Sequence, residues 1–155
     1  MDNQNSVFNI IEEISVITKL LDNQFFVVGS LVDIIYLDID RKLKDVDIIY
    51  FGQKNLDDIL PHSYKSSGLY LSEKRRLKAG SIYLEIFEND LSCKYTYFEK
   101  YQTNIQTALS RYNFINNFLK IKEKRSWSNI YRFWFREKKK YFNLIKSKYE
   151  YNIID

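Results

Sequence analysis

Phe25-Phe26-Val27-Val28-Gly29-Ser30, followed after a spacer by Lys44-Asp45-Val46-Asp47-Ile48-Ile49, decides the fold of this chain. The apolar run before Gly29 predicts a short buried strand, and Ser30 predicts the cap of a helix reaching Tyr36 or Leu37. A glycine at that junction lets backbone approach an anion closely, and the Ser30 N–H and hydroxyl add donors at a helix start. Asp45 to Phe51 predicts a second strand, closed by Gly52. Side chains alternate along a strand, so Asp45 and Asp47 point together while Val46 and Ile48 point into a core. Two carboxylates so placed repel unless a cation neutralises them. They suit Mg²⁺, a hard ion that takes oxygen ligands, keeps waters and draws its remaining ligands from phosphates.

Working outward, Val7, Ile10, Ile11, Ile14, Ile17, Leu20 and Leu21 recur every three or four residues, an amphipathic helix over 5–22. Asn55 to Leu60 predicts a helical turn halted by Pro61, and Ser66-Ser67-Gly68 a loop. Leu69–Leu71, Arg75–Lys78 and Ser81–Glu88 predict strands, the last entered through Ala79-Gly80. From Phe98 the period is read as helical, through Tyr101, Ile105, Ala108, Leu109, Tyr112, Ile115, Phe118 and Leu119. A charged break, Lys120 to Arg125, precedes a last helix capped by Ser126 and running to about Tyr149. The sum is α+β, a small mixed sheet flanked by helices with a C-terminal helical extension. Residues 1–97 form the core in this scheme, and the basic, aromatic helices of 98–155 pack on it.

Composition narrows the function classes. The 155 residues suit one domain, and 45% hydrophobic with 17% aromatic content excludes a disordered chain. One cysteine, Cys93, cannot form an internal disulfide, which points to a reducing cytoplasm. The first residues lack the basic-then-apolar character of a signal peptide. No apolar run approaches the ~20 residues of a membrane span, so no membrane partner is expected. Net charge is +4, but unevenly spread: residues 1–100 hold 12 Lys and Arg against 16 Asp and Glu, and residues 101–155 hold 12 against 4. An acidic front and a basic tail fit a phosphate-rich substrate meeting a metal site, and a Lys-rich solvated helix face gives the same count.

Val28-Gly29-Ser30 and Asp45-Val46-Asp47-Ile48 resemble the signature of the nucleotidyltransferase superfamily related to DNA polymerase beta. That signature is an apolar residue, Gly, Gly or Ser, a helical spacer, then Asp-apolar-Asp/Glu-apolar. Fourteen residues separate Ser30 from Asp45, slightly more than the family's usual spacer. The resemblance covers residues 7 to 90 and asks for a third carboxylate on a later strand. Glu85 in Ile82–Phe87 supplies it where many members carry Asp, with Glu88 and Asp90 as fallbacks.

The resemblance implies transfer of a nucleoside monophosphate from a nucleoside triphosphate to a hydroxyl acceptor, with pyrophosphate leaving. Asp45, Asp47 and Glu85 would be the catalytic carboxylates holding Mg²⁺ or Mn²⁺, and Glu85 would also accept the hydroxyl proton. Gly29, Ser30 and Lys44 would hold the nucleotide's phosphates. Lys74, Arg75 and Arg76 are read either as further phosphate contacts or as solvated surface charges, and Arg41 either as part of the basic tendency before the Asp pair or as a pin for the loop. The acceptor is an RNA end, a protein or a small molecule, and stand-alone members of this size include toxin-type transferases.

In the last helix Arg136, Lys138, Lys139 and Lys140 stand among Trp127, Tyr131, Trp134, Phe135, Tyr141 and Phe142. Bases interleaved with aromatics can bind single-stranded nucleic acid, so these four are the acceptor-binding candidates. Tyr131, Trp134, Phe135, Phe142 and Ile145 also fall at the spacing by which a helix docks. The alternative from another class is a catalytically inactive nucleotidyltransferase-like binding module, contacting nucleic acid or protein through that helix. A third is a nucleic-acid binder without nucleotide chemistry. Asp38-Ile39-Asp40 repeats the acidic pattern but lies too close to Ser30 for a helix and a return, and is expected in a loop. His62 and Cys93 have no partners for a zinc site.

Overall fold

β1 (Phe25–Val28) and β2 (Asp45–Tyr50) lie side by side and antiparallel, joined by α2 (Ser30–Leu37) and the loop 38–44. The computed structural model describes residues 3–67, 73–88 and 92–153. Ahead of β1, α1 (Asn3–Thr18) runs into a 3-10 turn over Lys19–Leu21. After β2 come α3 (Leu56–Ile59), β3 (Tyr64–Ser67), β4 (Glu73–Ala79), β5 (Ile82–Glu88), β6 (Tyr95–Phe98) and β7 (Thr103–Gln106). Two longer helices follow, α4 (Ala108–Leu119) and α5 (Asn129–Asn152). The strands form one mixed sheet in the order β3-β4-β5-β2-β1-β7-β6. β2 pairs with β5, and β1 with β7, in parallel; the other neighbours are antiparallel. The fold class is therefore α+β, as the alternation and helical periods indicate.

One face of the sheet carries the main core. Phe25, Val27, Val46, Ile48, Leu84, Ile86 and Ile105 meet Val7, Ile14 and Leu21 from the N-terminal helical segment and Leu31, Val32 and Ile34 from α2. Burying each such side chain contributes ~1.5–3 kcal/mol, which fixes the register of β2 because a slip of one residue would turn Val46 and Ile48 outward. Ile39 and Leu43 anchor the loop 38–44 to the same core, while Asp38 ends α2 in a left-handed conformation. The acidic pair at 38 and 40 thus lies in a loop, as expected.

The chain divides into two compact units, Met1–Thr107 and Ala108–Asp155. Residues 98–107, expected to be helical and to begin the C-terminal segment, instead hold the end of β6, a 3-10 turn over Glu99–Tyr101 and β7. The boundary accordingly falls after 107 rather than 97. Tyr101, Ile105, Ala108 and Leu109 mimic a helical period, but Gln102 adopts a left-handed conformation and breaks it. Ile105 then pairs beside Val27 and closes the outer edge of β1. Ser66 and Ser67 belong to β3 rather than to a loop, because β4 offers them a pairing edge. The strand expected at Leu69–Leu71 lies outside the described residues. Ser128, not Ser126, caps α5, its hydroxyl accepting the Tyr131 N–H at 3.2 Å.

The second unit is a helical hairpin closed by rings. Phe118 of α4 lies 5.1 Å from Phe135 and 4.8 Å, edge-on, from Phe142 of α5. Among the described residues no helix is long and apolar enough to cross a membrane.

Candidate functional site

The site starts where β1 ends. Gly29 has φ 77° and ψ −149°, a backbone region that only glycine occupies without strain, and it forms the N-cap of α2. Asp47 is the register partner of Val28, so its side chain arrives beside this turn. A Cβ placed on Gly29 would stand 2.7 Å from Asp47 Oδ2. The glycine therefore serves two needs, the turn and the close approach of a carboxylate. Ser30 is the first residue of α2 rather than its cap, and its hydroxyl accepts a hydrogen bond from Arg41 Nη1 at 3.2 Å.

Alternation puts Asp45 and Asp47 on the face opposite Val46 and Ile48, which are buried. Glu85 is the register partner of Asp47 across the parallel β2–β5 pair, so it shares that face. Three carboxylates thus occupy neighbouring places on two adjacent strands. Their electrostatic cost is met from β4, whose Arg76 is the register partner of Glu85. Lys74 Nζ lies 3.1 Å from Glu85 Oε1. Arg76 reaches Asp45 Oδ1 at 3.1 Å and Glu85 Oε1 at 3.6 Å, and its guanidinium lies 4.0 Å above the Tyr83 ring. Glu85 is mostly shielded, whereas Asp45 and Arg76 are well exposed, so the Lys74–Glu85 pair is the stronger one.

These pairings bear on a metal. Among the described residues no group of three or more His, Cys, Asp or Glu side chains stands where it could hold a metal ion. Asp45, Asp47 and Glu85 are the right chemistry for Mg²⁺ or Mn²⁺, hard oxygens on one rigid surface beside a turn of backbone N–H groups. As they stand, Asp45 and Glu85 are drawn toward Arg76 and Lys74.

The other cations and acids separate by face. Arg75, between Lys74 and Arg76, points to the opposite side, is buried, and binds Asp57, Ser63 Oγ and Glu88. It pins α3 to the sheet on the face away from the Gly29 turn, and alternation along β5 puts Glu88 on that same opposite face, apart from Glu85. Asp57 is held below the usual carboxylate range, chiefly by its hydrogen bond from Arg75 and next by Lys65. Asp90 lies outside the described residues. Lys44 directly precedes β2 with an exposed side chain, and its carbonyl accepts the Tyr83 N–H at 2.9 Å. His62 sits exposed in the turn after α3, and Cys93 is half-buried.

In the second unit the four acceptor-binding candidates are already engaged. Arg136 forms a two-point pair with Glu123 at 2.6 and 2.8 Å, and Glu123 also takes Arg132 at 3.3 Å. The Arg136 hydrogen bond is the main reason that the Glu123 carboxyl lies below its ordinary range. Lys140 pairs with Glu137 at 3.1 Å. Lys138 lies over the Phe142 ring at 5.1 Å, and Lys139 over Phe135 at 5.0 Å. Consecutive helical positions fan out by about 100°, so 138, 139 and 140 share no face.

Two features were not found from the sequence. Asp33, fully buried in the first turn of α2, occupies a place where the helix dipole favours a negative charge. The role of Lys74 and Arg76 as counter-ions depends on the β4–β5 register, which no local pattern encodes. The separation of Arg75 from its neighbours was readable, since strand alternation alone demands it. No protein-family model, curated protein or solved structure matches this chain.

Proposed function

We propose that this chain is a metal-dependent nucleotidyltransferase that moves a nucleoside monophosphate from a nucleoside triphosphate to a hydroxyl acceptor. One observation carries the proposal: Asp45, Asp47 and Glu85 share a sheet face directly beside a glycine-only turn that opens a helix. The backbone N–H groups at Gly29 and Ser30 would receive phosphate oxygens, aided by the positive end of α2. Asp45, Asp47 and Glu85 would hold Mg²⁺ or Mn²⁺, which supplies charge neutralisation for the phosphates. Lys74 and Arg76 would exchange from carboxylate to phosphate oxygen as substrate binds, with Lys44 at the rim. The acceptor oxygen forms a bond to the α-phosphorus, the bond to pyrophosphate breaks, and Glu85 takes the hydroxyl proton.

The acceptor is an RNA end, a protein or a small molecule, as in toxin-type enzymes, and a single cysteine suits work in a reducing cytoplasm. Labelled triphosphates incubated with Mn²⁺ and total RNA or cell protein should leave label on one acceptor pool in wild type and none with Glu85→Gln. A pair of proteins equally unable to release pyrophosphate would overturn the enzyme assignment. The ion pairs Lys74–Glu85 and Arg76–Asp45 favour a second reading, an inactive module in which β4 has neutralised the carboxylates for good. In that case triphosphate binding, if any, is indifferent to divalent ions.

A further inference from the structure

α5 has two apolar seams, and the second one faces solvent. Phe135, Phe142, Ile145 and Tyr149 are buried. On the opposite side of the helix Ile130, Glu137, Leu144 and Tyr151 recur every seven residues, with Phe133, Lys140 and Ser147 three places further on. These seven places have the a and d spacing of a coiled coil, four of them apolar and the central two, Glu137 and Lys140, charged. Ile130 is 85% exposed, Phe133 67%, Leu144 60% and Tyr151 86%. Single exposed apolar residues are ordinary, but four along one 24-residue helix, in a heptad seam that the fold leaves outside, mark an interaction surface.

We infer that this seam pairs with the same seam of a second copy of the chain, antiparallel. A two-fold axis requires every facing pair to share one midpoint. Phe133 with Leu144, Glu137 with Lys140, and Ile130 with Ser147 all centre midway between residues 138 and 139. The symmetry therefore packs Phe133 on the partner's Leu144 at both ends and sets Glu137 against the partner's Lys140 at the middle. A parallel pair would instead oppose Glu137 to Glu137 and Lys140 to Lys140, which like-charge repulsion disfavours. Within one chain the Glu137–Lys140 pair is exposed and contributes little, so both groups are available to the partner. Arg132 and Arg136, on the flank of the seam, are neutralised by Glu123, which limits repulsion between two basic helices. The polar centre selects register and orientation at a cost in strength, so the dimer is concentration-dependent.

Sedimentation equilibrium on the full chain tests this with charge reversal. Wild type should show a monomer–dimer equilibrium. Glu137→Lys and Lys140→Glu should each weaken it roughly tenfold or more, because each brings like charges together at the axis. An equimolar mixture of the two variants should recover wild-type association, since the reversed charges then complement. Phe133→Gln with Leu144→Gln should abolish dimers while circular dichroism, and the melting temperature at concentrations where wild type is monomeric, stay unchanged, as the residues are exposed. Wild type remaining monomeric up to its solubility limit would overturn the inference. So would single charge reversals that dimerise as well as wild type, or a mixture that fails to recover; either would assign the seam to another partner or register.

Discussion

On β2 and β5 three carboxylates stand side by side and draw Lys74 and Arg76 onto themselves. On α5 the cations are shared out singly, Arg136 to Glu123, Lys140 to Glu137, Lys138 and Lys139 to ring faces. The two regions look alike by composition, each mixing charge with aromatics, yet their physics differs. The hairpin disperses its charge, and its stability comes from interlocked rings. The sheet gathers three carboxylates and their two counter-ions beside a glycine-only turn, an arrangement that packing does not demand.

The contrast breaks most visibly under core truncation. Phe118→Ala should cost ~3–5 kcal/mol in urea unfolding, because Phe135 and Phe142 cannot both close the hole. Removing charge from the sheet face should cost far less. A larger loss from Asp47→Asn than from Phe118→Ala would make the acidic face a structural element and reverse the comparison. Next in size is Gly29→Ala, which places a Cβ against the Asp47 carboxylate at a positive φ and should lose ~1–3 kcal/mol. The same variant should bind triphosphate poorly. Normal triphosphate affinity in Gly29→Ala would show that the turn does not cradle phosphate.

The difference between the regions also explains which parts were legible from sequence. The strand at 25–28, its helix and the Asp45/Asp47 pair could be read because a period-two strand and a terminal glycine encode them locally. β6 and β7 could not, since Tyr101, Ile105, Ala108 and Leu109 spell a helical spacing. Only the unpaired edge of β1 makes Ile105 a strand residue. Glu85 was singled out by the resemblance to a family that needs a third carboxylate on a later strand, and its pairing with Lys74 depends on the register between β4 and β5. The cations of α5 stood out as a basic run, and their individual partners, Glu123 above all, come from a loop whose position tertiary structure sets.

The smallest expected effect is electrostatic and sharpens the hairpin side. The folded carboxyl of Glu123 lies below its unfolded value, so its stabilising contribution is complete above the ordinary carboxylate range and is lost as pH falls through the folded value. Glu123→Gln should therefore melt earlier than wild type at pH 7, and the two curves should converge below about pH 4. The gap is small because the pair is screened by solvent at the well-exposed Arg136, and melting followed by circular dichroism from pH 7 to pH 3 would measure it. A gap that widened toward low pH would contradict the assigned sign.

The central claim is that the acidic face of β2 and β5 binds a metal-bound triphosphate. Isothermal titration of a non-hydrolysable nucleoside triphosphate, with Mg²⁺ and with chelator, into wild type and Asp47→Asn tests it most directly. The account predicts Mg²⁺-dependent binding to wild type and its loss in Asp47→Asn, with the ligand-free variant as stable as wild type or slightly more so once the repulsion is gone. Equal affinity in both proteins, or binding to wild type that chelator leaves unchanged, would contradict it.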